Sequence, residues 1–119
     1  MNTAPRFSHG VMTITLDGQD VDLAANVHAA RTICRLYGGL TEAYNKVNAF
    51  DFDAVVNVIN AATRRVGKAG EETAEAVFSD GILTVAALVI LYLNFLSEGG
   101  KGPKTEAAPA AGEAVPAGE

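Results

Sequence analysis

The residues of this chain that could do chemistry are few and widely separated. The two histidines, His9 and His28, lie far apart, and Cys34 is the single cysteine. Zinc sites place their Cys and His ligands in closely spaced pairs, and the sequence contains no such pair. Cys34 follows His28 by six residues, so at about 100° per residue the two side chains point to different faces of a helix. We therefore predict no metal site and no nucleophile with an adjacent base, and interpret Cys34 as a small core residue.

Two carboxylates and two Gly-Lys pairs also require an interpretation. Asp51 and Asp53 could act as a general acid and base, but both fall at the start of a predicted helix, where capping explains them. The pairs Gly67-Lys68 and Gly100-Lys101 lack the earlier glycine and the following Ser or Thr of a phosphate-binding loop. They are interpreted as turns. The sequence thus predicts a non-enzymatic protein with no catalytic residues and no cofactor.

The charge of the chain bears on its partners. A net charge of −5 and a pI near 4.9 oppose nucleic-acid binding, which needs a basic surface. The local basic cluster is Arg64, Arg65 and Lys68 at the end of a predicted helix. Cations at that position complement the helix dipole, and a docking patch for an acidic partner is the other interpretation. A lone cysteine and the lack of a secretory signal in MNTAPRFSHG predict a cytoplasmic protein.

The segment from Ile82 to Leu96 is apolar except for Thr84 and Asn94. A helix that is apolar on every side must be enclosed by its own domain, by a partner or by a bilayer. A membrane span needs roughly 20 apolar residues with aromatic or charged anchors at its ends, and this segment has neither. We therefore predict no membrane insertion. A small domain encloses such a helix incompletely, and the apolar surface left over would be an interaction site.

The elements that position these residues follow from the hydrophobic pattern. Val11–Leu16 alternates, Asp17-Gly18 is a hairpin dipeptide, and Gln19–Leu23 returns as a second strand. Either Met12, Ile14 and Leu16 or the alternate set should lie on helices, because a hairpin alone is marginally stable.

Five helices are predicted after the hairpin. The first is capped by Asn26 and presents Val27, Ala30, Ile33, Cys34 and Tyr37. The others begin after Thr41, after Asp51 (ending near Gly67), near Glu71 after a turn at Lys68–Gly70, and at Ile82. The fold class is mainly α: a small domain of about five helices with an N-terminal β-hairpin and a disordered C-terminal tail. Residues 1–10 are predicted to be a flexible N-terminus, 11–98 the domain and 99–119 an Ala/Pro/Glu-rich tail, which is interpreted as a solubilising spacer or as a partner-binding segment.

The order of these elements resembles the small phage tail assembly chaperones, above all the subgroup of gene transfer agents and related siphophages. The resemblance covers roughly residues 11–96 and is carried by TITLDGQDVDL, ICRLYGGL, FDFDAVVNVINAA and AEAVFSDGI before an apolar closing helix. The chain departs from the family at Cys34 and Arg35, where acidic residues are common, and in its tail. The family has no catalytic motif to match.

The resemblance implies a chaperone that binds the long helical tape measure protein, keeps it soluble and helps recruit tail tube subunits. It would act in the cytoplasm of the bacterial host cell and leave before the virion is complete. Self-association stays open. We predict that a groove near the closing helix accepts apolar tape measure segments, as in helix-in-groove recognition. The predicted partner-binding residues are Tyr44, Phe50, Phe52, Phe78, Leu88, Tyr92 and Phe95.

Two other classes of function fit the sequence. A structural tail or head-tail joining protein of a phage or gene transfer agent could have this size and composition, and it would persist in purified particles. A small membrane-active phage protein would instead sediment with membranes.

Overall fold

The computed structural model of the chain describes residues 4–101. It contains an N-terminal sheet followed by helices, which confirms the predicted mainly α class with five helices. The elements are β1 (Arg6–Ser8), β2 (Val11–Leu16), β3 (Gln19–Ala24), α1 (Val27–Tyr37), α2 (Leu40–Asn48), α3 (Phe52–Thr63), α4 (Gly67–Asp80) and α5 (Ile82–Ser97). The prediction of a disordered tail from residue 102 onward falls outside the described residues.

The sheet is antiparallel with strand order β1-β2-β3. The hairpin of β2 and β3 forms as predicted, with Met12 opposite Leu23. Of the two alternating sets, Met12, Ile14 and Leu16 face the core and are buried. The extra strand β1 corrects part of the predicted flexible N-terminus, residues 1–10, since residues 6–8 belong to the sheet; residues 1–3 fall outside the described part of the chain. Phe7 explains the strand, because its ring packs edge-on against Phe95 with centroids 5.1 Å apart and so fixes the segment on the core.

The outer face of the sheet carries polar side chains that pair with one another. The Thr13 hydroxyl donates a hydrogen bond to Asp22 Oδ1 at 2.6 Å, and the Thr15 hydroxyl donates one to Asp20 Oδ1 at 3.4 Å. Arg6 Nη2 lies 3.0 Å from Asp20 Oδ2 in an exposed ion pair. This face of the sheet is therefore polar and solvent-exposed, and its cross-strand side-chain pairs stabilise it.

The predicted caps of α1 and α3 are confirmed. Asn26 Oδ1 accepts a hydrogen bond from the Ala29 backbone N–H at 2.9 Å, and Asp51 Oδ1 accepts one from Ala54 at 3.1 Å. Capping thus accounts for the Asp51 carboxylate. The predicted inner face of α1 is wrong at Val27, which is 71% exposed. Ala29 sets the buried face, and Val27 lies about 200° away from it around the helix axis.

The boundary between α3 and α4 also differs from the prediction. The helix expected to end near Gly67 ends at Thr63, and α4 begins at Gly67 instead of after Gly70. Arg64 takes a left-handed conformation with φ 58°. The next N–H, of Arg65, then donates to the Asn60 carbonyl at 3.1 Å and closes the end of α3.

Helix α5 forms the centre of the core, against α2, α3, α4 and strand β2. Its buried side chains are Val85, Ala86, Val89, Tyr92, Leu93, Phe95 and Leu96. Helices α4 and α5 meet in a bend of 118°. Among the helices of residues 4–101, none by itself has both the length and the apolar character needed to cross a bilayer.

The folded part extends beyond residue 98, where the predicted domain ends. The Gly100 N–H donates to the Phe95 carbonyl at 2.9 Å, and the Gly10 N–H donates to the Gly100 carbonyl at 3.1 Å. A Cβ atom at Gly100 would lie 3.0 Å from the Ala25 carbonyl oxygen. Only glycine permits this close approach, so Gly100 belongs to the packed domain and not to the tail.

Candidate docking surface on helices α2 and α5

The outer face of α5 is apolar, although it points away from the core. Four apolar side chains and one polar side chain share this face at helical spacing; we call it the α5 stripe, and it consists of Leu83, Ala87, Ile90, Leu91 and Asn94. Leu83 is 65% exposed and Leu91 is 43% exposed. The domain thus encloses one side of this uniformly apolar helix and leaves the other side uncovered.

A groove lies beside the stripe, between α2 and α5. It has a volume of about 170 Å³ and is lined by Leu40, Thr41, Tyr44, Leu93, Asn94 and Ser97. Tyr44 is 36% exposed and Leu93 is buried, so the groove has an apolar floor and a partly exposed aromatic wall. Asn94 belongs to both the groove and the α5 stripe. We call the two together the α2–α5 surface.

Phe50 follows α2 in a backbone conformation that glycine usually takes. The Phe50 N–H donates to the Val47 carbonyl at 2.9 Å, and the Asp51 N–H donates to the Lys46 carbonyl at 3.0 Å. This is a Schellman motif, in which the left-handed position favours glycine. Phe50 occupies it with φ 62°, at a cost of roughly 1–2 kcal/mol for a residue with a side chain.

The same motif closes α5, with Gly99 at the left-handed position and φ 78°. The side chain of Phe50 is 50% exposed, so half of the ring surface is left uncovered in the isolated domain. Strained residues of this kind concentrate at functional sites. A phenylalanine kept where glycine would fit better supports a role for its ring in contact with another molecule.

The predicted partner-binding residues fall into two groups. Five of them retain some exposure: Tyr44 lines the groove, Phe50 is half exposed, and Phe78 on α4 is 78% exposed. Phe52 and Leu88 are partly buried against the core.

Tyr92 and Phe95 are corrected to core residues, with exposures of 0% and 3%. The Tyr92 hydroxyl donates to the Ala24 carbonyl at 2.6 Å, which connects α5 to the end of β3. Burial raises the pKa of the Tyr92 phenol far above its usual value. Neither ring can reach a partner in this conformation.

The α2–α5 surface contains three residues that were not predicted from the sequence: Leu40, Leu83 and Leu91. The prediction favoured aromatic rings, because aromatic residues are common at binding sites. An apolar helix has no polar stripe to show which side faces water. One signal was present. Asn94 is polar, and Leu83 and Leu91 lie on its side of the helix at offsets of eleven and three residues.

The remaining polar groups have structural roles. Asn57 Nδ2 donates to the Tyr37 hydroxyl at 3.0 Å and joins α3 to α1. Burial raises the pKa of Tyr37, partly opposed by this hydrogen bond from Asn57. Within residues 4–101, no group of three or more His, Cys, Asp and Glu side chains is placed to hold a metal ion.

Comparisons with known proteins add no relative. No family model matches the chain, and no curated protein or solved structure matches it significantly. The α2–α5 surface is therefore interpreted from its own residues.

Proposed function

We propose that this chain is a non-enzymatic phage tail assembly chaperone, which binds and solubilises the tape measure protein and helps recruit tail tube subunits. The α2–α5 surface would be its binding site. The observation that carries the proposal is the α5 stripe, where Leu83 and Leu91 remain 65% and 43% exposed on the central helix of the domain. Contiguous apolar surface of this kind marks interaction sites in proteins.

The chemistry of the surface favours an apolar helix as the occupant. Side chains of the α5 stripe recur at the spacing with which one helix packs against another. A helix laid along α5 would cover Leu83 and Leu91 and could place a side chain in the groove beside Tyr44. Burying apolar area contributes about 25 cal/mol per Å² before the costs of association. Such a contact suits a long helical client with repeated apolar segments.

The charge of the chain supports a solubilising role. The net charge is −5, and charge away from zero keeps protein complexes dispersed. The α5 stripe itself contains no charged side chain. In this proposal, the stripe contacts the client, while the acidic remainder of the chain faces the cytoplasm of the bacterial host cell. The chaperone leaves before the virion is complete.

Co-expression with the tape measure protein tests this proposal. We expect the unaltered chain to keep that protein soluble and to co-purify with it. Leu83→Glu and Leu91→Glu should abolish both effects, because each places a carboxylate in the contact, where it would be desolvated. Val27→Glu is the matched control, since Val27 is 71% exposed on α1, outside the α2–α5 surface. Circular dichroism verifies that all three variants fold.

Three outcomes would overturn the proposal. The first is a tape measure protein whose solubility does not depend on this chain. The second is full binding by both α5 variants. The third is recovery of the chain from purified particles or from sedimented membranes, which would identify a structural tail protein or a membrane-active protein instead.

A further inference from the structure

A second groove lies between α1 and α3, on elements that the proposed function does not use. It has a volume of about 370 Å³, and we call it the α1–α3 groove; its lining residues are His28, Thr32, Leu36, Asn57, Asn60, Ala61, Arg64, Arg65 and Val66. Leu36 is 53% exposed and Val66 is 80% exposed. The groove therefore combines uncovered apolar side chains with a basic end.

Within residues 4–101, Arg64 at the basic end has no acidic partner within ion-pair distance, whereas Arg65 also lines a neighbouring pocket that contains Asp17 and Glu72. None of the lining residues is acidic, and the one ion pair among residues 4–101 joins Arg6 to Asp20 in the sheet. Arg65 Nη1 donates to the Thr73 hydroxyl at 3.0 Å, whereas Arg64 is exposed. Arg64 also occupies a left-handed position with φ 58°, which disfavours residues other than glycine. The exposed guanidinium of Arg64 suits an occupant with carboxylates.

The path of the chain brings an acidic segment close to this groove. Gly100 is packed against Gly10 and Ala25, and Ala25 directly precedes Asn26, the cap of α1. His28, in the first turn of α1, lines the groove. The described chain therefore leaves the domain at Lys101 beside the end of α1 at which the groove begins.

The length and charge of the following residues match the groove. Residues 102–119 contain Glu106, Glu113 and Glu119 against the single cation Lys104, a net charge of −3 + 1 = −2. At roughly 3.3 Å per residue they can reach on the order of 60 Å. Helix α1 has 11 residues and is only about 16 Å long at 1.5 Å per residue. Every position in the groove is thus within reach.

We propose that residues 102–119 dock in the α1–α3 groove of the same molecule. Glutamate carboxylates of this segment pair with Arg64, and its small apolar side chains, with Val115, cover Leu36 and Val66. Each contact is weak by itself, but the covalent connection gives the segment a millimolar effective concentration at the groove. The segment would then shield this groove from other acidic partners.

Amide chemical shifts of the full chain test the proposal. The unaltered protein is compared with the triple variant Glu106→Gln, Glu113→Gln, Glu119→Gln. We expect the amides of Thr32, Leu36 and Val66 to shift, and those of Thr13 and Thr15 in the sheet to stay in place. Raised salt should produce the same changes in the unaltered chain, because it screens the ion pairs. An identical groove spectrum in the variant, or changes confined to another surface, would overturn the proposal.

Charge reversal separates specific pairing from a general charge effect. Arg64→Glu should reproduce the groove shifts of the triple variant. Replacing Glu106, Glu113 and Glu119 with lysine in the Arg64→Glu chain should return the groove amides to their positions in the unaltered protein. Lys46→Glu on α2 is the matched control and should leave the groove amides unchanged. Failure of the reversal to restore the spectrum would overturn the pairing with Arg64.

Dilution identifies the occupant. Docking within one molecule predicts groove shifts that do not depend on concentration. Shifts that disappear on dilution would assign the groove to a second copy, and shifts that appear only with an added acidic protein would assign it to a separate partner. Either result would overturn the proposal. These readouts do not involve the α2–α5 surface, so the proposed function can fail without this inference failing.

Discussion

The outer face of the sheet and the outer face of α5 cover the same core from different directions. On the sheet, Thr13, Thr15 and Arg6 pair with acidic side chains and face water. On α5, Leu83 and Leu91 face outward without polar replacement. The sheet demonstrates that this chain can pair an apolar inner face with a polar outer one. The apolar outer face of α5 thus differs from the outer face of the sheet, and it supports the proposed contact with another molecule.

The largest effect we expect sharpens the contrast within α5. Leu96→Ala should lower the free energy of unfolding by about 2–5 kcal/mol, because Leu96 is 6% exposed and its loss leaves a cavity. Leu91→Ala, at 43% exposure, should cost less than about 1 kcal/mol. Urea unfolding of both variants measures the difference. Equal losses would contradict the assignment of Leu91 to an outer face.

Tyr92→Phe tests how α5 is joined to the sheet. Removing the hydroxyl leaves the Ala24 carbonyl without its donor, which should cost about 1–3 kcal/mol. Because burial raises the pKa of Tyr92, the folded state keeps the phenol neutral above about pH 10, where an unfolded tyrosine ionises. The unaltered protein should therefore lose stability as pH rises through that range, and the variant should lose less.

Chemical unfolding at pH 8 and at pH 11 measures the Tyr92 effect. Tyr44→Phe is the control, since Tyr44 is partly exposed and its hydroxyl makes no hydrogen bond within residues 4–101 that would be lost. It should leave the free energy of unfolding at pH 8 unchanged. A Tyr92→Phe variant with an unchanged slope would contradict the effect of burial on this phenol.

Phe50→Gly tests whether the strained backbone of Phe50 is retained because its ring contacts another molecule. Compared with Phe50→Ala, which loses the same ring contacts but keeps a side chain, Phe50→Gly should have a free energy of unfolding higher by about 1 kcal/mol, because glycine tolerates the positive φ of 62°. It should at the same time weaken the proposed binding to the tape measure protein. The reverse change at the equivalent position, Gly99→Ala, should be destabilising. A loss of stability in Phe50→Gly would mean that packing of the ring already compensates for the strain.

The smallest effect is expected on the outer face of the sheet. Arg6→Ala removes an ion pair whose side chains are 56% and 62% exposed, and such pairs contribute at most about 1 kcal/mol. Thermal unfolding should change little, and the change should vanish at high salt. A large, salt-independent loss would indicate that Arg6 has a packing role in β1.

Helix caps and the hairpin turn depend on neighbouring residues and could be predicted from the sequence. The caps Asn26 and Asp51 and the hairpin turn at Asp17-Gly18 are local signals, and all three were predicted. The early end of α3 at Thr63 is a local feature that was missed, whereas two other failures depend on contacts between distant residues. Strand β1 needs Phe7 against Phe95, and the packing of Gly100 needs Gly10 and Ala25. No window of neighbouring residues contains those pairs.

The candidate site was harder to predict than the fold. Tyr92 and Phe95 differ little in sequence context from Leu91, yet they are buried while Leu91 is exposed. An amphipathic helix shows its orientation by polar residues, and α5 has almost none. The aromatic rings were therefore assigned to the partner although two of them belong to the core. Phe50, one of the predicted partner-binding residues, is half exposed, but its strained backbone depends on how α2 ends and could only be seen in the structure.

The position of α5 at the end of the described fold has a consequence for biosynthesis. The ribosome makes α5 after the other described elements, so β1 to α4 emerge without the helix around which they pack. A translation product that stops before α5 lacks Tyr92, Leu93, Phe95 and Leu96 and exposes its apolar interior to cellular proteases. We expect only chains translated past Gly100 to accumulate. Truncated copies of this fold should therefore be degraded and not accumulate beside the complete domain.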